Sequence, residues 1–199
     1  GDYLYVTDHS NVTGYSSVMM YDISDPYHPL GTSSYAWIHA RFSDLAISGD
    51  YLYVASDGNI PEEIGLYIFD VSNPNEMVLV GYSATPDVAV AVAVSGDYAF
   101  LANGEQGLRV MDISDPTQPV EVGSYNTAST AVDVAVADGY IYVADSWGGL
   151  DILQLAWGTG GYSISGRVYD MEGHPLLDAL VSAGGASDWT DINGNYKLY

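Results

Sequence analysis

Few side chains in this 199-residue chain are of types that do chemistry, and their spacing limits what they can do. The four histidines, His9, His28, His39 and His174, stand apart. None is at metal-ligand spacing from another, and no H-E-x-x-H pattern is present to put two imidazoles on one helix face. Gly161-Tyr162-Ser163-Ile164-Ser165-Gly166 has the wrong spacing for a nucleophile elbow and opens a strand rather than a strand-to-helix turn. Asp22 and Asp25, with Asp112 and Asp115, are close enough in sequence to suggest acid–base pairs. They recur in step with a repeat and stand around prolines, so capping of local amides is the expected role. Glu62 and Glu63 follow Pro61 and read as solvated. No glycine-rich phosphate loop leads into a helix, and no helix is predicted. The chain is expected not to be an enzyme.

Three binding readings remain. Asp8, Asp57, Asn103 and Asp145 each follow a tyrosine-rich segment. Loops gathered on one rim would offer a ring of oxygen ligands suited to calcium; separate solvated turns are the competing reading. Asp188 to Gly194 resembles a calcium loop more weakly, because alternate carboxylates and a terminal glutamate are missing. Asn11-Val12-Thr13 is a sequon for N-linked glycan. Tyr3, Tyr5, Tyr51, Tyr53, Tyr140 and Tyr142 alternate along strands and share a face in pairs. They could form a glycan-binding face, with Trp147 and Trp157 as further candidates, but packing between sheets is favoured.

The elements that carry these residues repeat. Asp2-Tyr3-Leu4-Tyr5-Val6 returns at Asp50-Tyr51-Leu52-Tyr53-Val54, at Asp97-Tyr98-Ala99-Phe100-Leu101 and at Gly139-Tyr140-Ile141-Tyr142-Val143, at intervals of 48, 47 and 42 residues. A second landmark reads YDISDP at 21–26, FDVSNP at 69–74 and MDISDP at 111–116, and fades to LDIL at 150–153. A third, Ala-Val-Ala-Val-Ser-Gly at 91–96, has relatives at 45–49 and 134–138. Each piece is short, rich in Val, Ile and Tyr, and bounded by Gly, Asp, Asn or Pro, which predicts strands. One unit is AVAVSG, DYAFLA, GLRVMDIS, PVEVGSY: four strands, the size of a propeller blade.

Composition narrows the function. Lys and Arg number 4 against 26 Asp and Glu, a formal charge of -22. The basic residues are scattered, so no patch can neutralise phosphates, and neither nucleic acid nor an anionic membrane surface is an expected partner. No apolar run is long enough for a membrane-spanning helix. Eighteen tyrosines argue against a disordered acidic tail. The absence of cysteine removes disulfides from the account.

The three landmarks in fixed order resemble the LVIVD repeat family of bacterial and archaeal surface proteins, most closely from Ala91 to Val120, with the resemblance covering 1–155. The family is thought to form β-propellers and carries no common enzymatic activity. Here the repeat opens at the second strand of a blade, and its last blade is expected to stop after the third strand, near Leu155. Ala156 to Gly161 reads as a glycine-rich linker. From 162, SGRVYD, the Gly-His-Pro-Leu turn and TDINGNY resemble the carboxypeptidase regulatory-like domain, a small immunoglobulin-like sandwich used as a spacer. Asn193-Gly194 is its hairpin turn.

The expectation is therefore an all-β chain: about four propeller-like blades over 1–155, the first and last incomplete, a linker at 156–161 and a partial immunoglobulin-like β-sandwich over 162–199. Open strand edges predict a homo-oligomer or filament joined head to tail by strand addition, located outside the cell or on its surface. A propeller that binds glycan or surface protein, and a non-catalytic piece of a larger secreted enzyme, are the alternatives.

Overall fold

The computed structural model describes residues 2–9, 15–38, 41–58, 60–158, 161–167, 174–175, 180–183, 186–190 and 194–197. Alternation of apolar and polar residues, together with the turn residues between them, folds these segments into antiparallel sheets. The first sheet holds β1 (Tyr3–His9), β2 (Tyr15–Asp22) and β3 (Leu30–Ile38). The second holds β4 (Phe42–Ser48), β5 (Tyr51–Asp57), β6 (Ile64–Asp70) and β7 (Val78–Ala84). The third holds β8 (Ala91–Ser95), β9 (Tyr98–Ala102), β10 (Leu108–Asp112) and β11 (Val120–Tyr125). The fourth holds β12 (Ala131–Ala137), β13 (Tyr140–Asp145), β14 (Gly149–Gly158) and β15 (Gly161–Arg167). After the hairpin of β16 (Leu180–Ala183) and β17 (Ala186–Trp189), β18 (Asn195–Lys197) adds to β15. The fold is an all-β, propeller-like array.

Local chemistry explains the repeat. The first two strands of the second and third sheets are joined by Gly49-Asp50 and Gly96-Asp97, with φ of 59° and 58° at the glycines. The fourth sheet uses Asp138-Gly139, both with positive φ, the sign a type I′ turn requires at its two central positions. At the end of β2, β6 and β10 an aspartate folds over the next turn. Asp22, Asp70 and Asp112 accept from the amides of Ser24, Ser72 and Ser114 at 2.8–2.9 Å. Asp25, Asn73 and Asp115 do the same two residues on, from Tyr27, Asn75 and Thr117. Hydrogen bonds hold four of these carboxyls below the usual carboxylate range: chiefly the Ser24 amide for Asp22, the His28 ring for Asp25, the Ser72 hydroxyl for Asp70 and the Thr117 hydroxyl for Asp115, with the turn amides adding to them. The repeated carboxylates are thus turn caps.

The core lies in three seams between sheets. Val18 and Met20 of the first sheet meet Leu52, Val54, Tyr67 and Phe69 of the second. Tyr53, Ala55, Leu66 and Ile68 of the second meet Val92, Ala99, Leu101 and Met111 of the third. Phe100, Ala102, Leu108 and Val110 of the third meet Val134, Ile141, Val143 and Leu153 of the fourth. Each inner sheet therefore buries one face forward and one backward, which is why its strands read as nearly continuous apolar runs.

Three expectations change. Residues 156–158 are not linker: they continue β14, and Trp157 pairs with Tyr162. Satisfying the backbone of β14 against β15 outweighs the freedom that glycine gives this stretch. The last sheet is accordingly not left at three strands, since β15 supplies the fourth. LDIL is also not the faded turn landmark. Tyr3, Tyr51 and Tyr98 face Asp22, Asp70 and Asp112 across the ladder, whereas Tyr140 faces Gln154. Asp151 lies three residues earlier, opposite Val143.

Candidate functional site on the sheet edges, rims and faces

Ladder register shows what the four proposed calcium ligands are. Val6, Val54, Leu101 and Val143 occupy one repeat position, facing Met19, Tyr67, Arg109 and Asp151. Counting on by two places Asp8, Ser56, Asn103 and Asp145 together, with Asp57 one step further. Asp8 is exposed near the end of β1. Asp57 Oδ2 stands 3.5 Å from Arg41 Nη2. Asn103 is buried, and its Nδ2 donates to the Asp87 carbonyl. Asp145 is buried and accepts from the Ser129 amide at 2.8 and 3.1 Å. Three of the four thus hold the segment that enters their own sheet. Among the described residues no group of three or more His, Cys, Asp or Glu side chains could hold a metal ion. Asn11, His39 and the 191–193 turn lie outside the described residues.

Sequence reasoning missed a buried acidic pair. Asp145 and Asp151 are 1% and 2% exposed in the seam between the third and fourth sheets. Tyr125 donates to Asp151 Oδ1 at 3.3 Å, while Oδ2 has no hydrogen-bond partner among the described residues. Burial first, and the neighbouring Asp145 charge second, push the Asp151 carboxyl up to about 7. The third sheet puts Arg109 at the same position and compensates it with Glu121 at 3.2 Å. The signal was present in the sequence: an aspartate and an arginine at one repeat position. Misaligning LDIL concealed it.

The edge of β1 is the most distinctive geometry. β5, β9 and β13 each pair on that side with an inner strand, β4, β8 and β12. Among the described residues β1 pairs with β2 alone. The inner strands share one pattern across the ladder: Leu45-Ala46-Ile47, Val92-Ala93-Val94 and Val134-Ala135-Val136, with each central Ala opposite Tyr53, Phe100 or Tyr142. In β1, Tyr5 occupies the position of Tyr53, Phe100 and Tyr142.

The other predicted contacts are structural or solvated. Tyr3, Tyr5, Tyr51 and Tyr53 pack in the seams, as expected for packing between sheets. Tyr140 and Tyr142, with ring centroids 6.5 Å apart, lie on the outer face of the fourth sheet, and Trp147 is 84% exposed. His28 Nδ1 lies 2.8 Å from Asp25 Oδ2 on the surface. An open cleft of about 550 Å³ lies between the turns of the third and fourth sheets, lined by Tyr98, Phe100, Val136 and Ile141. Ser95 and Asp97 of the turn between β8 and β9 line its mouth as well.

Comparison with known proteins matches this geometry to a repeat family. The LVIVD repeat matches residues 1–36, 41–85, 88–127 and 128–154, and these four stretches correspond to the four sheets, up to β14 in the last. No curated protein matches the chain. Among solved structures, the whole chain aligns with 68% of the computationally designed Ika8 protein, at 9% identity and a TM-score of 0.60. That likeness concerns the fold.

Proposed function

The chain belongs to the LVIVD repeat family, and from that premise we propose a non-catalytic assembly module that acts outside the cell or on its surface. It joins copies head to tail into a filament or surface layer by strand complementation. The observation that carries this reading is the edge of β1. The second, third and fourth sheets each supply an inner strand at this position, and among the described residues the first sheet has the same second strand without it. An unpaired edge is a template for another strand, and head-to-tail joining that does not close gives fibres. The charge of -22 favours solubility of the single copy and an ion-rich medium for assembly.

Electron microscopy of the purified chain tests it, with and without a synthetic peptide copying Val90–Gly96. Fibres with a one-chain repeat that shorten when peptide is added are expected. Monodisperse single copies at high concentration, with slow exchange of the β1 amides, would rule the reading out. The exposure of Trp147 favours a second reading, a rim that binds glycan or protein; unchanged Trp fluorescence across a glycan panel would remove its glycan form.

A further inference from the structure

The three inner seams are built from the same repeat positions, and this defines what each outermost face should meet. The forward half of a seam comes from the Tyr53, Ala55, Leu66 and Ile68 positions. Its counterpart in the third sheet is Phe100, Ala102, Leu108 and Val110, all buried. By ladder register the same positions in the fourth sheet are Tyr142, Ala144, Leu150 and Ile152. Here Leu150 is 47% exposed, and the other three are half-buried. The backward half of a seam comes from the Leu52, Val54, Tyr67 and Phe69 positions, all 4% exposed or less. In the first sheet these are Leu4, Val6, Met19 and Tyr21. Leu4 is 46% exposed, and the other three are half-buried.

We propose that a second copy of this chain docks its Leu4, Val6, Met19 and Tyr21 face on the Tyr142, Leu150 and Ile152 face, continuing the series of seams from one copy to the next. The proposal shares the head-to-tail assembly reading but uses sheet faces rather than the β1 edge. One molecule carries both halves of a seam that it already builds three times within itself, which identifies the occupant as another copy. The position that carries Arg109 and Asp151 inside the array carries Met19 on the outermost face. No charge then has to be desolvated there on docking. The contact is heterologous, because the two faces differ, so it forms either a closed ring or an open series. Each copy carries -22, so docking tightens as salt rises.

Sedimentation velocity of the chain and of two variants, in 0.15 M and 1 M salt, tests this. Leu4→Glu and Leu150→Glu alter half-exposed side chains, so each variant should fold. The wild-type chain should self-associate, and each variant alone should lose that association by on the order of tenfold or more in Kd. An equal mixture of the two should form a dimer and nothing larger, since it retains one intact pair of faces. A mixture that stays monomeric, or variants that associate like the wild type, would overturn the proposal. Because the chain has no cysteine, Leu4→Cys and Leu150→Cys give a second readout with a flexible bis-maleimide. Crosslinks from 4 to 150 support the docking; 4-to-4 or 150-to-150 products without them overturn it. Peptide-sensitive fibres lacking the 4-to-150 product would sink the faces and spare the edge. A 4-to-150 product indifferent to peptide would do the reverse.

Discussion

Tyr125 of β11 donates its phenolic hydroxyl to Asp151 of β14 at 3.3 Å, tying the third sheet to the fourth through a carboxyl that is 2% exposed. The bond leaves Asp151 Oδ2 without a partner among the described residues, and Asp145 is the charge beside it. A buried acid so placed is stable as the neutral form, with consequences for the pH response of this seam.

The folded chain holds the Asp151 proton up to about pH 7, against an ordinary carboxyl value of 3.8. Between those values the folded state binds more protons than the unfolded state, so stability falls as pH rises. The contribution is whole below the ordinary value and gone above about pH 7. Asp151→Asn, which keeps the shape of the neutral acid, should therefore open a gap in Tm over the wild type that widens from pH 4 to 8, on the order of 5 °C. A gap independent of pH in scanning calorimetry would remove the argument.

Asp57, Asn103 and Asp145 each engage a partner of their own sheet. Calcium at millimolar concentration should thus shift Tm no more than magnesium at equal ionic strength. A calcium-specific rise that disappears in Asp145→Ala would restore the metal ring.

Gly107 combines a φ of 71° with a Cβ position that would collide with the Tyr125 carbonyl oxygen. Gly139 has a φ of 80°, but nothing lies within 4 Å of its Cβ position. Gly107→Ala should cost about 2–4 kcal/mol in urea unfolding, and Gly139→Ala only about 1 kcal/mol. Equal costs would show that the close approach to β11 is not what requires glycine.

Phe69 is fully buried, with edge contacts to Tyr35 and Phe42 at centroid distances of 4.9 and 6.4 Å. Phe69→Ala should lose about 3–5 kcal/mol. Tyr27→Ala, at a side chain 88% exposed, should stay within about 0.5 kcal/mol. Denaturant midpoints of the two variants decide the matter.

The repeat was legible because the signals that make a blade are local. Ser48-Gly49-Asp50 and Ser95-Gly96-Asp97 announce hairpins, and Asp25-Pro26 and Asp115-Pro116 announce the turns that follow β2 and β10. Seam partners were legible in kind, since alternation tells which tyrosines share a face. The fate of Asp145 and Asp151 was not, because a solvated rim aspartate and a buried one have the same local sequence; only packing of the third sheet against the fourth separates them. The glycines from 158 onward suggested a break, yet the backbone of β14 needed a partner there and found it in Tyr162 to Arg167. In the same way, no single repeat shows that β1 pairs, among the described residues, with β2 alone, which is visible only against the other three sheets.

The pairing of β14 with β15 also determines where this protein can be divided. A cut at the glycines around 158–161 would remove the strand that completes the fourth sheet and bare the outer edge of β14, the one away from β12, from Ile152 to Gly158. The severed body would expose a row of unpaired β14 amides and carbonyls, a template for another strand. Anyone preparing the repeats by themselves should keep the chain through Arg167, so that β15 stays paired on β14. The stretch from Gly161 to Arg167 pairs with β14 on one side and β18 on the other, so its loss would unpair both.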